Sequence, residues 1–163
     1  MDLLVIRHAI AADPADYADD AERPLTPEGK KKMRRVAKGL RRSVPAIGLL
    51  ATSPLVRAIE TAEIVSAAYD GIATTIVTAL APGHPPAAVA RWLEPYRGHD
   101  VVAVVGHEPG LSRMVGWFLT GTERSFIELK KGAACLLTFP GAIAAGGAVL
   151  VWALAPSQLR ELP

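Results

Sequence analysis

The chain has 163 residues, half of them apolar and 21% charged, with 18 Lys and Arg against 16 Asp and Glu. That length suits a single domain spanning residues 1–163, the near balance of charge argues against nucleic-acid binding, and no run approaches ~18 uninterrupted apolar residues, so no membrane helix is expected. One cysteine, Cys135, excludes an internal disulfide, and no thiol or imidazole cluster has zinc spacing, so neither a metal nor a cofactor is expected.

Leu3 to Ile6 is a short apolar run without polar alternation, the pattern of a strand covered on both faces. No basic region or small-residue cleavage site precedes it, so a cytoplasmic location is expected. Asp13 to Arg23, rich in acid, Pro and Ala, reads as a loop whose alanines can support a helical turn. Thr26 as N-cap and Pro27 at the first helical position then open a helix. Within it, from Lys30 to Arg42, eight of thirteen residues are basic, interleaved with Met33, Val36, Ala37 and Leu40 at helical spacing. Such a face is either simply solvated or a docking surface for an acidic or phosphorylated partner.

Leu49 to Thr52 predicts a strand, and Ser53-Pro54 the start of a second helix with Leu55, Ile59, Ala62 and Val65 as its buried stripe. Further on, the pattern predicts a strand at Thr74 to Val77, a helix at Pro86 to Glu94 and a second doubly covered strand at Val101 to Val105. A helix follows at Pro109 to Leu119, with Leu111, Val115 and Phe118 inward and Gly121 just past its end. Strands at Ala134 to Phe139 and Ala148 to Leu154 flank the glycine- and alanine-rich segment Gly141 to Gly147, suited to a hairpin. Trp92, Trp117, Trp152 and Phe126 read as packing residues, and Cys135 as a small core hydrophobe. The alternation predicts a three-layer α/β/α sandwich with a mostly parallel sheet and an antiparallel pair near the C-terminus.

In open α/β sheets, ligands sit beyond the carboxyl ends of strands. The run ending at Ile6 leads into Arg7-His8, the run ending at Val105 into Gly106-His107, and the strand ending at Thr52 into a helix whose first turn carries Arg57. If these strands are parallel neighbours, two imidazoles and two guanidiniums converge on one rim. Arginine forks answer the charge on phosphoryl oxygens with bidentate hydrogen bonds, and a neutral histidine among them can accept the phosphoryl group covalently. No Walker-type glycine loop, His-Glu-x-x-His helix or G-x-S-x-G elbow supports a competing chemistry.

Four segments in order carry a family resemblance: Leu4-Val5-Ile6-Arg7-His8-Ala9, Arg23-Pro24-Leu25-Thr26-Pro27-Glu28-Gly29, Ser53-Pro54-Leu55-Val56-Arg57-Ala58-Ile59-Glu60-Thr61, and Val105-Gly106-His107-Glu108-Pro109. Together they resemble the histidine phosphatase (phosphoglycerate mutase-like) superfamily, and their spacing and the short chain are similar to SixA-type phosphohistidine phosphatases. The resemblance implies that His8 is the nucleophile, that Arg7, Arg57 and His107 bind phosphoryl oxygens, and that Arg23 joins the pocket. It implies a metal-independent hydrolase acting on a phosphorylated protein or a small phosphate compound.

Two departures stand out. Ala9 occupies a position where many relatives have glycine, which makes the turn after His8 less permissive. Many members supply a general acid from the segment after the third strand, yet Thr78 to Arg91 contains no Asp or Glu. His84 and Glu108 are the candidate proton donors. An acid-poor pocket favours phosphohistidine, whose imidazole leaves more readily than an alkoxide. The short connection between the third and fourth strands, about 20 residues, leaves little material for a lid. The competing readings are a phosphomonoesterase for small metabolites and a catalytically silent phosphate-binding module.

Overall fold

Eleven elements follow one another: β1 (Asp2–Arg7), α1 (Pro27–Ser43), β2 (Leu49–Thr52), α2 (Val56–Ala68), β3 (Thr74–Ile76), α3 (Pro86–Leu93), β4 (Val101–Gly106), α4 (Gly110–Thr120), β5 (Ala134–Thr138), β6 (Val149–Leu154) and α5 (Pro156–Glu161). The computed structural model describes residues 1–162. The strands form one sheet in the order β3-β2-β4-β1-β5-β6. Its first four members are parallel, and β5 and β6 join antiparallel.

The doubly covered strands have a direct physical basis. Side chains alternate across a strand, so Leu3 and Val5 enter the core beneath α3 and α4 with Val102, Val104 and Phe118. Leu4 and Ile6 enter the core beneath α1, α2 and α5 with Met33, Leu40, Ala103 and Leu159. Leu3, Leu4, Val5 and Ile6 are all fully buried. Each such side chain contributes roughly 1.5–3 kcal/mol by leaving water, so polar alternation would be costly on either face.

The first helix forms as its sequence dictates: Thr26 Oγ1 accepts from Gly29 N at 2.9 Å, Pro27 leads the first turn, and Met33, Val36, Ala37 and Leu40 are buried. Gly121 ends α4 with φ at 81°, a backbone conformation that favours glycine. Asp13 to Arg23 is a loop that contains two 3₁₀ turns, Pro14–Asp16 and Asp20–Glu22, capped by the side chains of Asp13 and Asp19.

Other expectations shift. The second helix starts at Val56, because Ser53 extends the sheet (its N–H donates to Val105 O at 3.0 Å) and its hydroxyl meets His107. Its buried face is Arg57, Ala58, Thr61, Ala62 and Val65, whereas Leu55 and Ile59 are only half-buried. Phe126 is not a packing residue: it is 57% exposed on the loop between α4 and β5. The short helix α5 has no counterpart in the sequence reading, since six residues hold too little periodicity; its Leu159 is nevertheless fully buried. Ala9 does not need glycine's freedom, because among the described residues Asp70 is the one non-glycine with positive φ.

Candidate active site

Strand register builds the site. Arg7 pairs with Gly106 across β1 and β4, so His8 and His107 each stand one residue past the same level. Their rings lie 5.0 Å apart between centroids, and each residue is only 5% exposed. Thr52 pairs with Val105, which brings Ser53 alongside, and Ser53 Oγ lies 2.7 Å from His107 Nε2. Arg57, one residue into α2, is 4% exposed.

Each of these side chains is tethered by one polar end. His8 Nδ1 donates to Ala9 O at 2.7 Å, which leaves its Nε2 as the nitrogen with an available lone pair. Ala9 N in turn donates to Thr61 Oγ1 at 3.1 Å, and Thr61 donates to Arg57 O at 2.7 Å. Arg7 Nη1 donates to Leu129 O at 2.6 Å. Arg57 donates from Nη1 to Asp20 O at 2.7 Å and from Nη2 to Asp20 Oδ2 at 2.8 Å. The other ends are bare: Arg7 Nε, Arg57 Nε and His107 Nδ1 are buried without a hydrogen-bond partner. Buried polar groups are nearly always paired, so three orphans within one cluster mark a place built for a ligand.

Electrostatics keep both imidazoles neutral. Burial pulls His8 from 6.5 down to about 4; the hydrogen bond to Ala9 O opposes this, and the charges of Arg57, Arg7 and Arg23 add to it. Burial likewise takes His107 down to about 3, helped by His8 and Arg57 and opposed by Asp20. Burial also lowers Arg57 below the ordinary arginine value, with Asp20 resisting. At neutral pH the cluster therefore offers two uncharged rings among guanidinium cations.

Arg23 reaches the same assembly through a residue the sequence reading passed over. Its Nε donates to Asp20 Oδ1 at 3.0 Å and its Nη1 to Ala12 O at 3.0 Å. Asp20 lies in an acid-rich loop with no periodic signal. Leu129 was equally invisible, because its part is played by a backbone carbonyl. Gly132 closes the loop that carries Leu129: with φ at 79° its N–H donates to both Arg7 O and His8 O. The two candidate proton donors stand apart from the cluster's hydrogen bonds. His84 is exposed, and lines a cavity with Leu80, Pro82, His107, Glu108 and Met114. Glu108 accepts from Ser112 Oγ at 2.5 Å through Oε2, while its Oε1 is buried and unpartnered. Among the described residues, no group of three or more His, Cys, Asp or Glu side chains is arranged to hold a metal ion, and no helix is long and apolar enough to cross a membrane.

Residues 3–81 match the model of the histidine phosphatase superfamily, branch 1. An uncharacterized protein of Picosynechococcus sp. is 38% identical over 133 residues, 80% of this chain and 81% of that protein. The chain belongs to the histidine phosphatase superfamily. By that membership it is a phosphatase. Among solved structures it is similar to the protein histidine phosphatase SixA complexed with tungstate, at 25% identity and a TM-score of 0.85, over 98% of this chain and 99% of that one. The α-ribazole phosphatase from Shigella flexneri matches in fold at 17% identity and a TM-score of 0.76, over 96% and 97% of the two chains. The α/β architecture with a mostly parallel sheet is the one the alternation of elements predicts, and it is phosphoglycerate mutase-like, as the family resemblance implies.

Proposed function

We propose that this phosphatase removes the phosphoryl group from phosphohistidine on a partner protein, with His8 as nucleophile and Arg7, Arg23, Arg57 and His107 as its phosphate-binding set. The observation that carries the reading is the orphaned trio Arg7 Nε, Arg57 Nε and His107 Nδ1 around an imidazole whose Nδ1 is already committed. With His107 Nε2 accepting from the Ser53 hydroxyl, its Nδ1 carries the ring proton, and that N–H with the Nε–H groups of Arg7 and Arg57 makes three donors for three phosphoryl oxygens, the arrangement phosphoryl transfer calls for. In the first step the lone pair of His8 Nε2 attacks phosphorus, and the bond from phosphorus to the substrate imidazole breaks with its electron pair going to that nitrogen, which takes up a proton. In the second, water attacks phosphorus, the bond to His8 Nε2 breaks, and inorganic phosphate and a proton leave.

The choice of phosphohistidine rests on leaving-group chemistry. His84 is solvent-facing, and Glu108, whose Oε2 accepts from Ser112 while its Oε1 has no partner, makes no hydrogen bond to His8 or the arginines. With no acid hydrogen-bonded into the cluster, a substrate whose leaving group needs little protonation is favoured. Similarity to a protein histidine phosphatase over nearly the whole chain agrees with this. The test is phosphate release from a phosphohistidine-bearing phosphotransfer protein, followed by the same assay with His8→Ala. Wild type should turn over and the variant should lose at least ~10³-fold in rate, with an acid-labile label mapping to His8. Full activity in the variant would end the mechanism. Higher kcat/KM on sugar, nucleotide or acyl phosphates would shift the substrate to small metabolites, and phosphate binding without turnover would make the chain a recognition module.

A further inference from the structure

Two arginines of the cluster, Arg23 and Arg57, are already occupied by the chain's own carboxylate. Asp20 presents Oδ1 to Arg23, with contacts of 3.0 Å to Nε and 2.9 Å to Nη2, and it takes both Nη atoms of Arg57 through its Oδ2 and its backbone carbonyl. Two oxygens shared between two guanidinium forks is the bonding that an entering phosphate would adopt. Among the described residues Asp20 is the only carboxylate within ion-pair distance of Arg7, Arg23 or Arg57.

The segment bearing this carboxylate is lightly held. Asp13 through Asp20 are all exposed, and neither 3₁₀ turn in the segment buries a residue. The Asp20 side chain is itself 56% exposed, although its partner Arg57 is 5% exposed. A buried guanidinium without a counter-ion is costly, so in the empty pocket Asp20 supplies the missing charge from solvent's edge. When a phosphoryl dianion enters, that same charge lies beside it and repels it. The two effects differ in sign, and charge count decides between them. Three arginines with two neutral histidines attract substrate and inorganic phosphate alike, and attraction that is equally strong for substrate and transition state lowers KM without raising kcat, while the same attraction slows the departure of the product.

We infer that Asp20 is a resident anion that limits the pocket's affinity for phosphate and so speeds product release. It tunes the affinity for phosphate and is not a member of the reacting set. The inference rests on the phosphatase reading above, and its test separates the two. Inhibition by inorganic phosphate is measured for wild type, Asp20→Asn and Asp20→Glu at low and physiological salt, together with kcat and KM on a phosphohistidine protein. Asparagine keeps the shape and an acceptor oxygen but removes the charge. The expected result is about tenfold tighter phosphate inhibition for Asp20→Asn at low salt, narrowing as salt rises, with KM falling alongside. Asp20→Glu should stay within about threefold of wild type because the charge is kept.

If Asp20 merely props the arginines, Asp20→Asn will bind phosphate more weakly and KM will rise, which overturns the inference while leaving the phosphatase reading intact. Unchanged phosphate inhibition overturns it equally. A wild-type protein that neither turns over nor binds phosphate defeats both. Thermal unfolding of each variant guards against misfolding, which is not expected at so exposed a position.

Discussion

Two neutral histidines inside the protein should make its stability depend steeply on pH. Both lie below their ordinary value in the folded state, at about 4 for His8 and about 3 for His107. The unfolded chain, with histidines near 6.5, therefore binds protons first as pH falls. The stabilisation is complete above pH ~6.5, is lost progressively as pH falls below that value, and stops changing for His8 only near its folded value. Each ring then contributes a slope approaching 1.4 kcal/mol per pH unit, which integrates to about 2 kcal/mol between pH 7 and 5, or about 4 kcal/mol for the pair. Urea denaturation at pH 7, 6 and 5 reads this directly as a fall in the midpoint at constant m-value. His8→Asn and His107→Asn should each remove about half of the slope. A flat stability profile from pH 7 to 5 in wild type, or an undiminished slope in both variants, would refute the claim that these rings are buried and uncharged.

Thr61→Val should leave the buried Ala9 N–H without its acceptor, destabilising the fold by about 1–3 kcal/mol and lowering kcat more than it raises KM, with Thr61→Ser restoring both. Urea titration and steady-state kinetics on the same samples check the pair of effects. Gly39→Ala places a Cβ onto the carbonyl oxygen of Leu159, so α5 must shift away from α1; a loss of about 2 kcal/mol or more in urea denaturation is expected, with little change in kcat. The His8→Ala and Asp20→Asn outcomes described above complete the set.

Much of the site was legible because the signal was local. A strand buried on both faces must be apolar throughout, so the first polar residue after it is conspicuous, and Arg7-His8 and Gly106-His107 stand out for that reason alone. The start of α1 was equally readable, since Thr26 and Pro27 each act within one turn. The start of α2 misled because Ser53-Pro54 has the chemistry of a cap, while the hydroxyl, which accepts from Leu55 N at 3.4 Å, lies closer, at 2.7 Å, to an imidazole 54 residues away in sequence. Nothing local distinguishes those two uses of one side chain.

The sequence by itself marked out Arg7, His8, Arg57 and His107, because residue type and position at a strand's end are properties of neighbouring residues. Only the tertiary structure decided how each group is held: Arg7 by the carbonyl of Leu129, 122 residues distant, and Arg57 by Asp20, 37 residues distant. It also decided which atoms remain unpaired, since an orphaned nitrogen is the remainder after every other partner has been placed. Hydrogen bonds and desolvation depend on what the whole fold brings within 3 Å, and that is a sum over the chain that no stretch of it contains.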